Sequence, residues 1–299
     1  MEKYFWTQKQ DIGPSIRNTH VMTYHSSKEK VLLFGGYSNT TNQMLGDTWE
    51  WDGHEWTQVA DTGPSPRLGS ALTYDSVRNK SILFGGLNSL GAPENDTWEW
   101  DGQEWTQVAN SGPAARGSHT LAYDSKEQRV VLFGGSAYAA FFNDTWEWDG
   151  HEWTQVADTG PSPREFHTMT YDEASQNVVL FGGSRWELIP GDTWTWKDRT
   201  WKNVQDMGPG PLVNSSMVGT THGVILFGGL NFQNGQRNDN TWKWDGNLWR
   251  QNEDIGPIPR SHHAMAYDAK RDRVVLFGGF GSVAPFGDTW ELRIESIPE

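Results

Sequence analysis

The sequence predicts an all-β protein assembled from six copies of one four-stranded antiparallel unit, and three observations carry that expectation. Gly pairs recur at Gly35-Gly36, Gly85-Gly86, Gly134-Gly135, Gly182-Gly183, Gly228-Gly229 and Gly278-Gly279, at spacings of 50, 49, 48, 46 and 50 residues. Thr-Trp pairs ending at Trp49, Trp98, Trp146, Trp194, Trp242 and Trp290 recur every 48 or 49 residues. Between these markers apolar and polar residues alternate with a period of two, punctuated by Gly, Pro and Asp-Gly, which is a pattern of short strands and not of helices.

The fourth unit shows the elements in order. Its first strand is His167 to Tyr171, and its second is Val178 to Phe181, stopped by the Gly pair. A variable loop leads to the third strand, Asp192 to Trp196, and a tight turn to the fourth, which begins at Trp201 and ends at Gly208-Pro209. In four other units that turn carries Asp-Gly, as in Asp52-Gly53 and Asp245-Gly246, the residues selected by a short hairpin loop with positive φ.

The Gly pair followed by two aromatics with six residues between them, as Trp49 and Trp56 or Trp242 and Trp249, resembles the kelch repeat, with Trp where that family usually has Tyr. The resemblance covers nearly the whole chain. It implies a single six-bladed β-propeller of four-stranded antiparallel blades arranged around a central channel. The blades are expected at about residues 15–61, 65–110, 114–158, 162–206, 210–254 and 258–295. The last lacks a fourth-strand Trp after Leu292, while Trp6 precedes Gly13 by the same seven residues that separate Trp56 from Gly63. A strand at residues 3–10 should therefore complete the sixth blade and remove the open edge of the ring.

Of the 18 Trp, 17 fall on this grid and should pack between blades; Trp186 does not. Arg17, Arg67, Arg116, Arg164 and Arg260 follow Gly-Pro in five units, and Asp47, Asp96, Asp144, Asp192 and Asp288 precede Thr-Trp in the same five. The fifth unit has Leu212 and Asn240 instead, so both partners are lost together. Joint loss points to a bidentate ion pair within each blade, structural although placed at the channel mouth. His20, His119, His167 and His263 recur three residues after the Arg. Four imidazoles around a channel could hold a metal, but His167 shares a strand face with Met169 and Tyr171, so interblade packing is expected, with no metal and no cofactor.

Composition excludes several chemistries. The 24 Lys and Arg against 38 Asp and Glu, a net charge of −14, argue against a nucleic-acid partner. The absence of Cys removes disulfides, thiolate metal sites and Cys nucleophiles, and with them the Cys-Tyr copper chemistry of kelch-type oxidases. No apolar run reaches the length of a membrane span and no leader is evident, so a soluble monomer, cytoplasmic by default, is expected. No zinc-hydrolase motif, phosphate loop or nucleophile elbow occurs. The iron motif of plant specifier proteins has no counterpart, and no motif of the sialate mutarotases, which are also six-bladed kelch propellers, can be placed.

Variation is concentrated in one place. Residues 46–67 and 143–164 agree at 21 of 22 positions, whereas the six loops after the Gly pairs share almost nothing. In a four-stranded blade these loops, between strands two and three, emerge together around one channel opening, mounted on a repetitive support. They carry Tyr37, Tyr138, Phe141, Phe142, Arg185, Trp186, Phe232, Arg237, Phe280 and Phe286, a composition suited to recognition. The expectation is a non-catalytic binding scaffold for a protein segment or a glycan, with Trp186 the leading residue. The alternative is an enzyme acting on a small sugar-like ligand in a pocket under the same loops, in the manner of a mutarotase or isomerase.

Overall fold

The structure, a computed structural model, describes residues 2–9, 12–186, 188–205, 208–252 and 255–296. Six four-stranded antiparallel sheets are present among them. In the first, Val21–His25, Lys30–Ser38, Gln43–Trp51 and Trp56–Ala60 pair in chain order. The next four sheets repeat that order from first strands Ala71–Asp75, Thr120–Asp124, Thr168–Asp172 and Ser216–Thr220. In the sixth, Ala264–Asp268, Arg273–Phe277 and Thr289–Ser296 are joined by Glu2–Gln8, with Glu2 opposite Ser296 and Gln8 opposite Trp290. Gln10, the expected end of that strand, and residues 206 and 254, the expected ends of blades four and five, lie outside the described residues.

The apolar core is divided into six clusters, each shared by two neighbouring blades. Leu32 and Phe34 of blade one meet Leu83 and Trp100 of blade two, and equivalent clusters join two to three, three to four, four to five and five to six. The sixth cluster joins Val31 and Trp51 of blade one to Val275 and Phe277 of blade six, which closes the ring. This geometry changes one detail of the sequence reading. The second strands are not alternating: Val31, Leu32, Leu33 and Phe34 are all fully buried, because a blade sandwiched between two others has no solvent face at its middle strands.

Each fourth-strand Trp stitches its blade to the preceding one. The Trp105 indole donates Nε1–H to Thr48 Oγ1 at 2.8 Å and meets the Phe34 ring edge-on, with centroids 5.4 Å apart. The same donation runs from Trp153 to Thr97, Trp201 to Thr145, Trp249 to Thr193 and Trp6 to Thr241, and Trp56 returns it to Thr289. Each edge-to-face pair adds about 0.5–1.5 kcal/mol beyond the area it buries. The Gly before each Pro is required by this packing: a Cβ on Gly63, whose φ is 131°, would stand 2.7 Å from Trp105 Cδ1.

Candidate functional site

The loop face is built outward from the five Arg side chains. Arg116 donates Nη1–H to Asp144 Oδ1 at 2.6 Å and Nη2–H to Oδ2 at 2.8 Å, and Nη1 also reaches the Gly134 carbonyl at 2.8 Å. Trp146 Nε1 donates to the same carboxylate at 2.7 Å. Arg17 with Asp47, Arg67 with Asp96, Arg164 with Asp192 and Arg260 with Asp288 repeat the bidentate geometry. Burial pushes the carboxyl groups of Asp47, Asp144 and Asp192 up, but the hydrogen bond and charge of the paired Arg outweigh it and hold each below the ordinary carboxylate range. The guanidinium groups do not line the channel mouth, where the sequence reading placed them. They are fully buried inside their own blades, pinning the Gly pair from which each variable loop departs.

Two positions after each Arg, and after Leu212 in blade five, the chain forms a feature that the sequence does not announce. Thr19 N–H donates to the carbonyl of His262, His262 to Asn214, Asn214 to Phe166, Phe166 to Ser118, Ser118 to Gly69, and Gly69 back to Thr19, at 2.7–3.3 Å. All six residues have φ between 52° and 63°, the left-handed region. Only one of them is Gly, so the residue types give no signal. The result is a collar of six peptide groups that ties the blades together where the channel opens toward the variable loops.

Below the collar lies a cavity of about 190 Å³, bordered by His20, His119, His167 and His263. Each of these imidazoles packs edge-on against a Phe of the preceding blade, as His20 does on Phe277 at 5.5 Å and His119 on Phe84 at 5.3 Å. Burial first, and the adjacent Arg charge second, drive His20 and His167 down to about 3 and His119 and His263 well below the usual value. All four are therefore neutral at pH 7. No carboxylate borders this cavity, and no group of three metal-ligating side chains occurs among the described residues.

The loop residues divide into two sets. Phe142 lies 3.9 Å beneath the Arg116 guanidinium and Phe286 4.2 Å beneath Arg260, so both are absorbed in holding the buried ion pairs and are not free to meet a ligand. Tyr37 is half-buried and bonds Asn42 within its own hairpin. Arg237 stacks over Phe280 at 5.0 Å and donates to Ser261 Oγ at 3.2 Å. The second set is outward. Tyr138 is 84 % exposed, Trp186 68 % and Phe232 52 %, and Arg185 is exposed beside Trp186.

Trp186 crosses from blade four to meet Phe141 of blade three, with centroids 5.3 Å apart and the ring planes inclined by 58°. Phe141 pairs across its hairpin with Ser136, which donates Oγ–H to Glu165 Oε2 at 2.5 Å. Exposed aromatic surface, a hydroxyl and a carboxylate thus form one contiguous patch; Ser136 and Glu165 were not among the residues singled out from the sequence.

The KLHDC2/KLHL20/DRC7 kelch-repeats domain is the family whose profile matches this sequence, over residues 1–183 and again over residues 76–211. A solved structure described as "Structure of YjhT" superposes with a TM-score of 0.74 at 12% identity, covering 95% of this chain and 98% of that one, a likeness of fold. No curated protein matches the sequence. Six Gly pairs, six interblade Trp–Thr bonds and this profile match together establish that the chain belongs to the kelch-repeat family of β-propellers.

Proposed function

We propose that the protein is a binding scaffold that takes a protein segment or a glycan on the face formed by the loops between strands two and three. The observation that carries this reading is the pair Trp186 and Phe141, contributed by two blades and held in contact while Trp186 stays largely exposed. An indole left in water costs apolar hydration that a stacked ligand would relieve, and aromatic anchors of this kind dominate recognition surfaces. Ser136 and Glu165 supply adjacent hydrogen-bonding groups that would orient the bound partner. The cavity below is lined by imidazoles and no carboxylate among the described residues, so it offers no carboxylate–imidazole acid–base pair.

The test is a combined glycan and peptide array read with wild type, Trp186→Ala and Phe141→Ala. Both variants should lose roughly tenfold or more in affinity for whatever the wild type retains. Ligands retained equally by all three proteins would reject the site.

A further inference from the structure

In five of the variable loops the chain turns back through a residue in the left-handed region of backbone space: Asn42 in blade one, Gly91 in blade two, Tyr138 in blade three, Trp186 in blade four and Gly235 in blade five. Asn and Gly are the residues that such a position favours. Tyr138 and Trp186, each with φ of 53°, are bulky aromatics held where the backbone disfavours them. They are also the two most exposed rings among the described Trp, Tyr and Phe residues. Strain kept beneath an exposed ring serves neither packing nor turn formation, and it points to a function carried by the ring itself.

The two rings belong to neighbouring blades and are connected through Phe141. Trp186 meets Phe141 directly, and in the blade-three hairpin Ser136 pairs with Phe141 and Ala137 with Ala140. Tyr138 therefore stands two steps of the strand pair beyond Phe141, about 7 Å further along the hairpin. Its neighbours Ala137, Ala139 and Ala140 have no side chain beyond Cβ to cover the rings. Glu165 receives the Ser136 hydroxyl on Oε2, and its Oε1 has no partner among the described residues. Burial pushes Glu165 up and only the Ser136 hydrogen bond opposes it, so no cation compensates its charge. Arg185, exposed next to Trp186, makes no ion pair among the described residues.

One carboxylate and one guanidinium beside the same rings leave the patch without a preferred sign of charge. A charged peptide segment would be attracted by one and repelled by the other, whereas sugar hydroxyls donate to a carboxylate and accept from a guanidinium equally well. Rings at the apices of hairpins also offer a flat surface to the C–H face of a pyranose, while a peptide side chain gains most from a pocket that buries it. We propose, on the loop-face reading above, that Trp186 and Tyr138 form a two-ring platform for a neutral oligosaccharide, with Glu165 and Arg185 holding its hydroxyl groups. Successive sugar rings along one chain would lie on the two aromatics.

Isothermal titration of the whole protein with the β-1,4-linked hexamers of glucose, mannose and xylose, and with the three monosaccharides, tests the platform. At least one hexamer should bind saturably and about tenfold or more tightly than its own monosaccharide, which reaches only one ring. Trp186→Ala and Tyr138→Asn should each weaken that hexamer roughly tenfold, and Glu165→Gln about threefold or more. Because Asn suits the left-handed position, Tyr138→Asn should leave the melting temperature unchanged or raise it by about 1–3 °C. A lowered melting temperature in that variant would make the ring structural and overturn the proposal. No hexamer bound, an affinity no better than the monosaccharide's, or an unaffected Glu165→Gln variant would do the same. Peptides retained on the array in a Trp186-dependent way, with no hexamer bound, would leave the loop-face reading standing and overturn this one. Hexamers bound equally by wild type, Trp186→Ala and Tyr138→Asn would overturn both.

Discussion

Trp242 buries its indole Nε1 without an acceptor because Asn240 stands where five other blades place the aspartate that receives it. The defect accompanies Leu212 in the position of the paired Arg, and it marks blade five as the one in which the Arg–Asp–Trp cluster was replaced as a unit. Introducing Asp alone would bury a carboxylate without its guanidinium. Asn240→Asp and Leu212→Arg are each expected to destabilise the protein, whereas the double variant should recover at least about 1 kcal/mol relative to their sum. Urea unfolding of the four proteins in a double-mutant cycle measures that coupling. Strict additivity would break the link between the two positions.

Removing one partner of an intact cluster should be far more damaging than removing an exposed ion pair. Asp144→Asn leaves the fully buried Arg116 guanidinium without its counter-charge and should cost about 3–5 kcal/mol in denaturant unfolding. Asp245→Asn, at an exposed hairpin where the carboxylate meets Arg250, should cost less than about 1 kcal/mol.

Acid sensitivity should begin well above the carboxylate range. His20 and His167 have folded values of about 3, so the unfolded chain takes up their protons first as the pH falls through about 6.5. The stability they contribute is complete above that point and is lost between about 6.5 and 3. Each group steepens the loss by about 1.4 kcal/mol per pH unit inside this window. Asp47, Asp144 and Asp192, depressed in the fold, add to the loss only below about pH 4. Blades two and five already carry Ser70 and Ser215 at the His position. His20→Ser should therefore flatten the slope of stability against pH between 6 and 4 by about one proton. An unchanged slope would show that His20 is not held neutral.

The terminal strand should contribute to the stability of the whole ring. Glu2–Gln8 supplies the fourth strand of blade six, buries Tyr4 and Trp6 and bonds Trp6 to Thr241 of blade five. Deleting residues 2–9 should lower the melting temperature by roughly 10 °C or more, followed by circular dichroism. A variant that melts with wild type would show that closure adds nothing.

Much of the architecture was readable in the chain because a repeat compares itself with itself. Six Gly pairs and a period of two define the blades. The joint replacement of Arg and Asp by Leu212 and Asn240 reveals a pair 28–30 residues apart in the other blades. Even the closing strand could be placed, since Trp6 and Gly13 keep the spacing of Trp56 and Gly63. These are properties of local pattern and of equivalent positions.

What only the tertiary structure decided depends on how non-equivalent loops pack. Phe141 and Phe142 are neighbours in sequence, yet one packs against Trp186 of the next blade and the other lies beneath Arg116, because successive residues point to opposite sides of the chain. The collar at Thr19, Gly69, Ser118, Phe166, Asn214 and His262 is made of peptide groups, to which residue identity is nearly blind. One Met or Leu from each blade, Met22, Leu72, Leu121, Met169, Met217 and Met265, lines the channel at a single level that only the assembled ring creates. The sequence by itself determined the ring, its blades and its buried ion pairs. The surfaces left free for ligands were decided by distances between blades, which no single repeat encodes.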